Sequence, residues 1–152
     1  MAHNNPVNHP ARPVYRAIGG LTGLYLVIFG VVGLIETGGT ELFAQDDTLI
    51  LGQGGNLGYS IISALLGAII LIATGIGRNA DVAVNKRLGY GFMALGLAAL
   101  ATLRTDANYL NFTVATVIVI MVIGMVLLMA AMYGRVGSEE EANAWRDARL
   151  VL

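Results

Sequence analysis

The stretch "NLGYSIISALLGAIILIATGIG" at residues 56–77 carries no charge, whereas the next ten residues, "RNADVAVNKR" at 78–87, include three basic ones. Within 57–76, the polar side chains are Tyr59, Ser60, Ser63 and Thr74. At a rise of about 1.5 Å per residue, twenty helical residues cover the roughly 30 Å hydrocarbon core of a bilayer. The pattern therefore predicts a membrane-spanning helix that ends in a basic turn.

Four apolar segments of this kind lie at about 17–35, 57–76, 88–103 and 112–133. The third reaches only about 24 Å, although basic side chains at both of its ends can extend it by snorkelling. A helical bundle in water requires polar outer faces, and these segments are apolar all round. We therefore expect an all-α fold, an integral-membrane four-helix bundle occupying residues 14–135.

The two tails differ in character. Residues 1–13 contain all three prolines of the chain, so we expect an extended polar tail there. Residues 136–152 predict a short helix of their own, because Ser138 followed by Glu141 fits a capping box.

Basic residues set the expected orientation. Eight of the nine Lys and Arg fall in the two tails and in the loop between the second and third segments; only Arg104 lies on the other side. The eight are Arg12, Arg16, Arg78, Lys86, Arg87, Arg135, Arg146 and Arg149. We therefore expect a multi-pass membrane protein with both termini cytoplasmic, and an acidic exterior loop at 36–56.

The two halves of the chain resemble each other weakly. "RAIGGLTGLYL" at 16–26 and "RLGYGFMALGL" at 87–97 share an arginine, a glycine and two leucines in one register, and "NLGY" at 56–59 can be set against "NYLN" at 108–111. One interpretation is a parallel duplication of a two-helix unit. The other is chance similarity between apolar segments.

With these features the chain resembles a family of small four-helix membrane proteins of unknown function that is common in actinobacteria. The resemblance covers about 16–134: the span lengths, the long first outer loop, the glycine-rich odd spans and the asparagines before the even spans. The family pattern at those asparagines is Asn-x-x-His, and here Tyr59 and Asn111 stand at the histidine positions. The resemblance implies lineage and topology, and with them a bacterial plasma membrane as the location, and it brings no assigned activity.

The amino-acid composition excludes several classes of function. Charged residues make up 12% of the 152 residues, about half the usual share in soluble domains, and a net charge of −1 gives no basic field for nucleic acid. Cysteine is absent. No Asp, Glu, Lys, Arg or His falls inside a predicted span, which argues against ion-coupled transport and against intramembrane catalysis. We expect no enzyme activity, no cofactor and no metal.

Two weaker metal hypotheses arise. Glu41, Asp46 and Asp47 in the first loop could hold a divalent cation, but they lack the spacing of a calcium loop. A solvated acidic loop is the plainer interpretation. His3 and His9 give at most a weak metal site.

Glycine is the most distinctive residue, with 20 in the chain. Small residues allow helix backbones to approach closely in lipid. The glycines at predicted packing positions are Gly19, Gly23, Gly30, Gly33, Gly54 and Gly58. They either pack the chain's own helices together or form a docking face for another subunit.

Four aromatic residues are candidates for contact with lipid or a partner: Tyr25, Tyr59, Phe43 and Trp145. Tyr25 and Tyr59 lie deep enough in their spans to need hydroxyl partners. Phe43 lies in the first loop, and Trp145 in the C-terminal tail.

The partners we expect are membrane lipids and other membrane-protein subunits, without nucleic acid. The favoured function is a non-catalytic accessory or structural subunit of a larger plasma-membrane complex. The alternative is a small oligomeric transporter or channel for an apolar or lipid-like solute.

Overall fold

The computed structural model describes residues 6–150, apart from the side chains of residues 149 and 150. Within this part of the chain there are five helices and one two-stranded ladder. The helices are α1 (Arg12–Glu36), α2 (Leu57–Ile76), α3 (Ala80–Thr102), α4 (Val114–Tyr133) and α5 (Glu139–Leu150). The strands are β1 (Leu49–Ile50) and β2 (Gln53–Gly54), paired antiparallel.

Among the described residues, three helices are long and apolar enough to cross a membrane: α1, α2 and α4. The all-helical class is confirmed, and the expected four spans are not. Helix α3 is also long, but its first eight residues include Asp81, Lys86 and Arg87, so its apolar part is only the remainder. These charged residues lower the mean hydropathy of α3 below that of α1, α2 and α4.

The four long helices are arranged as two hairpins. Helix α1 packs mainly against α2, and α3 mainly against α4, while smaller α1–α4 and α2–α3 contacts join the two hairpins. Residues 6–11, the α2–α3 turn and the start of α5 lie at one end, called here the termini end. The 37–56 and 103–113 loops lie at the other, the loop end.

The turn between α2 and α3 is much shorter than the sequence suggested. Residues 78–87 were expected to form a basic loop, but only Gly77, Arg78 and Asn79 separate the two helices. All three have positive φ, at 65°, 49° and 69°, so the reversal is completed in one tight turn. The segment 80–87 contains no glycine or proline that would interrupt a helix. Asp81 lies in the first turn of α3, where its negative charge stabilises the positive end of the helix dipole.

Helix boundaries elsewhere follow local chemistry. Helix α1 begins at Arg12, five residues before the predicted span, with a proline in its first turn, where the missing N–H costs no hydrogen bond. The Asn56 side chain caps α2, and Thr113 with Thr116 forms a capping box on α4. Ser138 and Glu141 form the predicted capping box on α5, with Glu141 N donating to Ser138 Oγ at 3.2 Å.

The packing is the reverse of that in a water-soluble bundle. On α1 the buried stripe includes Gly19, Gly23, Gly30 and Gly33, whereas the large apolar Leu21 and Ile35 are 65% and 74% exposed. Helices α2 and α4 also direct large aliphatic side chains outward. Exposing that much apolar surface to water is unfavourable, so these outer surfaces fit an apolar surrounding.

Candidate functional site

At the termini end, α1 and α3 bring three charged side chains together. Asp81, whose side chain is 3% exposed, lies with Oδ2 3.7 Å from Arg12 Nη2 and 3.9 Å from Arg16 Nε. The two arginines stand one helical turn apart on α1, and Asp81 lies in the first turn of α3. A buried carboxylate is therefore compensated by two cations from another helix.

The same arginines bind the carbonyl ends of two other helices. Arg12 Nε donates to the carbonyl of Gly134, just past α4, at 2.8 Å. Arg16 Nε donates to the carbonyl of Thr74 at 3.0 Å, and its Nη2 bonds the carbonyls of Thr74 and Gly75. Carbonyls in the last turn of a helix lack intrahelical partners and carry partial negative charge. Arg12 and Arg16 thus join α1 to α2, α3 and α4 at once.

Three buried oxygens around this cluster have no hydrogen-bond partner among the described residues: Asp81 Oδ1, Asn85 Oδ1 and Thr74 Oγ1. Asn85 lies one turn after Asp81 on α3, and its amide packs against the bare backbone of Gly19, where an added Cβ would lie 2.7 Å from Asn85 Nδ2. The cluster therefore retains unused polar groups between the helices.

An open notch of about 600 Å³ lies beside the cluster, between α1 and α2. It is lined by Arg12, Pro13, Arg16, Ala17, Leu71, Thr74 and Gly75. The Arg12 and Arg16 side chains are 21% and 35% exposed, so each is partly accessible from outside the protein. The notch combines two cations, one hydroxyl residue and an apolar remainder.

Sequence reasoning missed this cluster because it assigned Asp81 to a solvated loop. A signal was present: from Ala80 to Leu88 nothing interrupts a helix, and Asp81 and Asn85 are four residues apart, hence on one face. What the sequence could not supply was the partner, since Arg12 and Arg16 lie more than sixty residues earlier.

A second groove, of about 470 Å³, lies at the same end between residues 7–10 and α5. Its walls include Val7, His9, Trp145 and Arg146. The N-terminal segment is held there by Asn8, whose Nδ2 donates to the Gly137 carbonyl at 2.9 Å and whose Oδ1 accepts from Gly137 N at 3.1 Å. The segment at 6–11 is thus folded against the C-terminal region rather than extending away as a free tail.

The His9 ring is held by aromatic packing and by a hydrogen bond within its own segment. Its ring lies edge-on to Tyr133, with centroids 5.2 Å apart, and Tyr133 stacks on Tyr15 at 4.6 Å. Its Nδ1 accepts a hydrogen bond from Ala11 N at 3.1 Å. His3, the other histidine considered for a metal, lies outside the described residues.

At the loop end, Asn56 connects three segments. Its Oδ1 accepts from Tyr59 N at 3.1 Å, and its Nδ2 donates to the carbonyls of Tyr109 at 2.8 Å and Ala44 at 3.2 Å. The side chain is thus the N-cap of α2 and also ties the two outer loops together. Asn108 was set against it in the sequence, but α4 is capped by Thr113 instead.

The short β-ladder is bound to α4 through the backbone of Gly54. Its N–H donates to Thr113 Oγ1 at 3.1 Å, and its carbonyl accepts from Thr116 Oγ1 at 2.7 Å. Asn111 Nδ2 donates to the Asp46 carbonyl at 2.8 Å, which adds a further link between the loops. The loop end is therefore closed by an ordered cap.

The acidic side chains of the first loop do not form a cluster that could bind a metal ion. In the described part of the chain, no three His, Asp or Glu side chains are placed to hold a metal ion together, Glu41, Asp46 and Asp47 included. Hydrogen bonds from the hydroxyl and backbone N–H of Thr48 hold the pKa of Asp46 below its ordinary value. This carboxylate is thus engaged by its own turn.

The four aromatic candidates have different surroundings. Tyr59 is 3% exposed and packs edge-on between Phe29 and Phe112, at centroid distances of 5.2 and 4.7 Å. The expectation that it contacts lipid or a partner is therefore wrong for Tyr59, because the loop-end core encloses the ring. Tyr25 is half-buried, and its hydroxyl accepts from Gln53 Nε2 at 2.6 Å.

Phe43 and Trp145 are more accessible. Phe43 is 52% exposed, with one ring edge against Gly58. Trp145 is half-buried on α5 and lines the groove opposite the N-terminal segment.

The six predicted packing glycines all contact the chain's own neighbours. Gly19, Gly23, Gly30 and Gly33 face Asn85, Ile70, Ala64 and Ser60, and an added Cβ at each would lie closer than 3.0 Å to its neighbour. Gly54 lies against Thr113, and Gly58 against the Leu42 carbonyl and Phe43. Of the two interpretations, intramolecular packing therefore accounts for these positions.

A third cavity, a groove of about 420 Å³, opens sideways between α1 and α4. Its lining is almost entirely aliphatic and includes Leu21, Ile118, Val122 and Val126, with Thr22 and Tyr25 as the hydroxyl groups. This groove lies at one of the two main helix interfaces that join the two hairpins.

Comparison of the chain with known protein families, with curated proteins and with solved structures gives no match. The resemblance to the actinobacterial membrane family therefore stays a prediction.

Proposed function

We propose that this protein is a non-catalytic accessory subunit of a larger protein complex in a bacterial plasma membrane, with both termini in the cytoplasm. The observation that carries the proposal is the folded face at the termini end, where residues 7–10 and α5 enclose a groove of about 470 Å³. Here α3 serves as the fourth membrane crossing, with Lys86 and Arg87 at its cytoplasmic end.

The composition of the groove supports binding of a protein segment. Tryptophan and arginine are the side chains that most often dominate binding energy at protein interfaces, and Trp145 and Arg146 both line the groove. Val7 and Ala142 supply apolar surface between polar groups. An apolar centre with a polar rim is the usual composition of an interface.

The fixed position of both walls is a second support. Asn79 Nδ2 donates to the Val136 carbonyl at 2.8 Å, and Val136 N donates to Asn79 Oδ1 at 2.7 Å. With the Asn8–Gly137 pair, this joins the N-terminal segment, the α2–α3 turn and the segment before α5. A preorganised groove loses less conformational entropy when a partner binds.

The test is purification of the tagged chain from its native membrane in mild detergent, with quantification of co-purifying proteins. We expect one or more membrane proteins at near-equimolar yield, and their recovery to fall at least about tenfold in W145A/R146A, as expected for loss of interface hot spots. The matched control is E140A/D147A, which changes two exposed residues on the same helix outside the groove.

Equal recovery from both double variants would place the partner elsewhere on the surface. Recovery of this chain alone, with the tag at either terminus, would overturn the accessory-subunit proposal.

The second candidate function is a small oligomeric transporter or channel for an apolar or lipid-like solute. The aliphatic groove between α1 and α4 favours it, because an apolar solute needs no charged group along its path. Val122→Trp would fill that groove, and Met125→Trp, on an exposed position of the same helix, is the control. Flux of a fluorescent fatty acid in liposomes that only V122W abolishes would support this function, and flux equal to that of empty vesicles would exclude it.

A further inference from the structure

We propose that the notch between α1 and α2 at the termini end binds the headgroup of an anionic phospholipid through Arg12 and Arg16. This site is separate from the α5 groove, and it goes beyond the accessory role. Three features of the described residues carry the proposal: the depth of the notch, its charge, and the shape of its floor.

The notch lies at the depth of lipid headgroups if α1 crosses the bilayer. Residues 17–35 contain no charge and rise about 28 Å, which matches the hydrocarbon thickness of about 30 Å. Arg16 is therefore at the boundary, and Arg12 lies one turn beyond it. Because α2 ends at Ile76, next to the carbonyls that Arg16 binds, both walls reach the same level.

The charge of the notch suits a phosphate. Among the residues that the structure describes, Arg12 and Arg16 are the charged ones that line it. Their shared carboxylate, Asp81, lies behind them with 3% of its side chain exposed, so one positive charge remains uncompensated.

Each guanidinium also keeps donors for a ligand. Arg12 uses Nε for the Gly134 carbonyl and Nη2 for Asp81, and Arg16 uses Nε and Nη2 for the carbonyls of α2. Nη1 of each remains available, and the fixed guanidinium planes match the geometry of phosphate oxygens. Thr74, whose buried Oγ1 has no partner among the described residues, lies in the same wall.

The floor of the notch fits a lipid better than a soluble anion. Ala17 and Leu71 continue the lining toward the membrane interior, and Gly75 leaves an opening where an added Cβ would meet nothing within 4 Å. An acyl chain can lie along this apolar side while its phosphate contacts the arginines. Basic pockets between helices at a cytoplasmic boundary are a recognised form of anionic lipid site.

The experiment uses the purified full-length chain in mild detergent, so it does not depend on any partner protein. Native mass spectrometry measures retention of added phosphatidylglycerol against phosphatidylcholine with the same acyl chains. We expect wild-type protein to prefer phosphatidylglycerol by about tenfold, given two basic groups at the site. Equal retention of the two lipids would overturn the proposal.

A filling variant tests the location without touching the arginines. Gly75→Phe places a ring in the notch, and Gly91→Phe places the same ring on α3, where there is also nothing within 4 Å of an added Cβ. We expect G75F to lose the preference for phosphatidylglycerol and G91F to keep it. Full preference in G75F, or equal loss in both variants, would show that the lipid does not bind in the notch.

Inorganic phosphate separates a lipid site from a site for a soluble anion. Millimolar phosphate is expected to leave bound phosphatidylglycerol in place, because the acyl chains contribute to its retention. Complete displacement by phosphate would overturn the lipid assignment.

Discussion

A Cβ atom added to Gly67 would lie 2.6 Å from the carbonyl oxygen of Gly23, and one added to Gly23 would lie 3.1 Å from the carbonyl oxygen of Gly67. Helices α1 and α2 therefore touch backbone to backbone at this crossing. Gly89 and Gly124 form the same reciprocal contact between α3 and α4, at 3.0 Å in both directions. Each hairpin is thus joined at a pair of glycines.

Gly30→Ala is expected to lower stability by about 1–3 kcal/mol, the range for overpacking a close interface. Its Cβ would lie 2.5 Å from Ala64 N and 2.6 Å from the Ser60 carbonyl oxygen, so the helices must separate. Gly91→Ala is the control, since its Cβ meets nothing and alanine favours a helix by about 1 kcal/mol. The midpoint temperature of thermal unfolding in detergent should fall for Gly30→Ala and rise for Gly91→Ala. A similar fall in both variants would contradict the packing role of Gly30.

Asn56→Ala is expected to destabilise the loop end by roughly 2–4 kcal/mol, because it removes the α2 cap and leaves two carbonyls without their donor. Asn56→Ser keeps a capping oxygen but loses both carbonyl bonds, so it should lie between wild type and alanine. The midpoint temperature of thermal unfolding should therefore decrease from wild type to Asn56→Ser to Asn56→Ala. If serine is as stable as wild type, the links to Tyr109 and Ala44 contribute nothing.

Asn79→Ala is expected to release α5 from the termini end. It removes both hydrogen bonds to Val136 and places alanine at a φ of 69°, which costs about 1–2 kcal/mol. Asn79→Gly loses the same bonds without the backbone strain, so it isolates the hydrogen-bond contribution. Hydrogen exchange of the backbone amides of residues 134–148 should become faster in both variants, and more so in Asn79→Ala. Unchanged exchange rates would contradict the coupling between Asn79 and the segment that leads into α5.

Asp81→Asn is expected to lower stability by roughly 1–3 kcal/mol, less than for a fully buried ion pair because both arginines are partly exposed. The same change removes the negative charge behind the notch. Retention of phosphatidylglycerol by D81N should therefore rise at least about threefold, the direction expected for one more uncompensated cation. Stable protein with weaker lipid retention would count against a favourable role for the two guanidiniums.

Some features of the site were readable in the sequence. The capping box at Ser138 and Glu141, the end of α2 before Arg78 and the small residues inside the hairpins all follow from local pattern. The charge pattern was misread at one point: Asp81 looks like a loop residue because basic residues follow it within six positions. Tyr59 looked lipid-accessible because a run of apolar residues does not show which face turns inward.

The repeat suggested by the sequence illustrates the same limit. The two hairpins are alike in architecture, yet Gly20 and Gly91, which align in the repeat, have different surroundings. Gly20 faces Thr74, whereas Gly91 has nothing within 4 Å of an added Cβ. Common ancestry of the two halves stays a prediction.

By itself the sequence determined the helical class and the three strongly apolar helices, because hydropathy and length act locally along the chain. Only the tertiary structure decided that Arg12 and Arg16 meet Asp81, that Tyr59 is enclosed by Phe29 and Phe112, and that Asn56 joins two loops. These contacts join residues far apart in the chain. Uniformly apolar helices carry little periodic information about which face packs inward, so the helix crossings made by glycine pairs set those contacts.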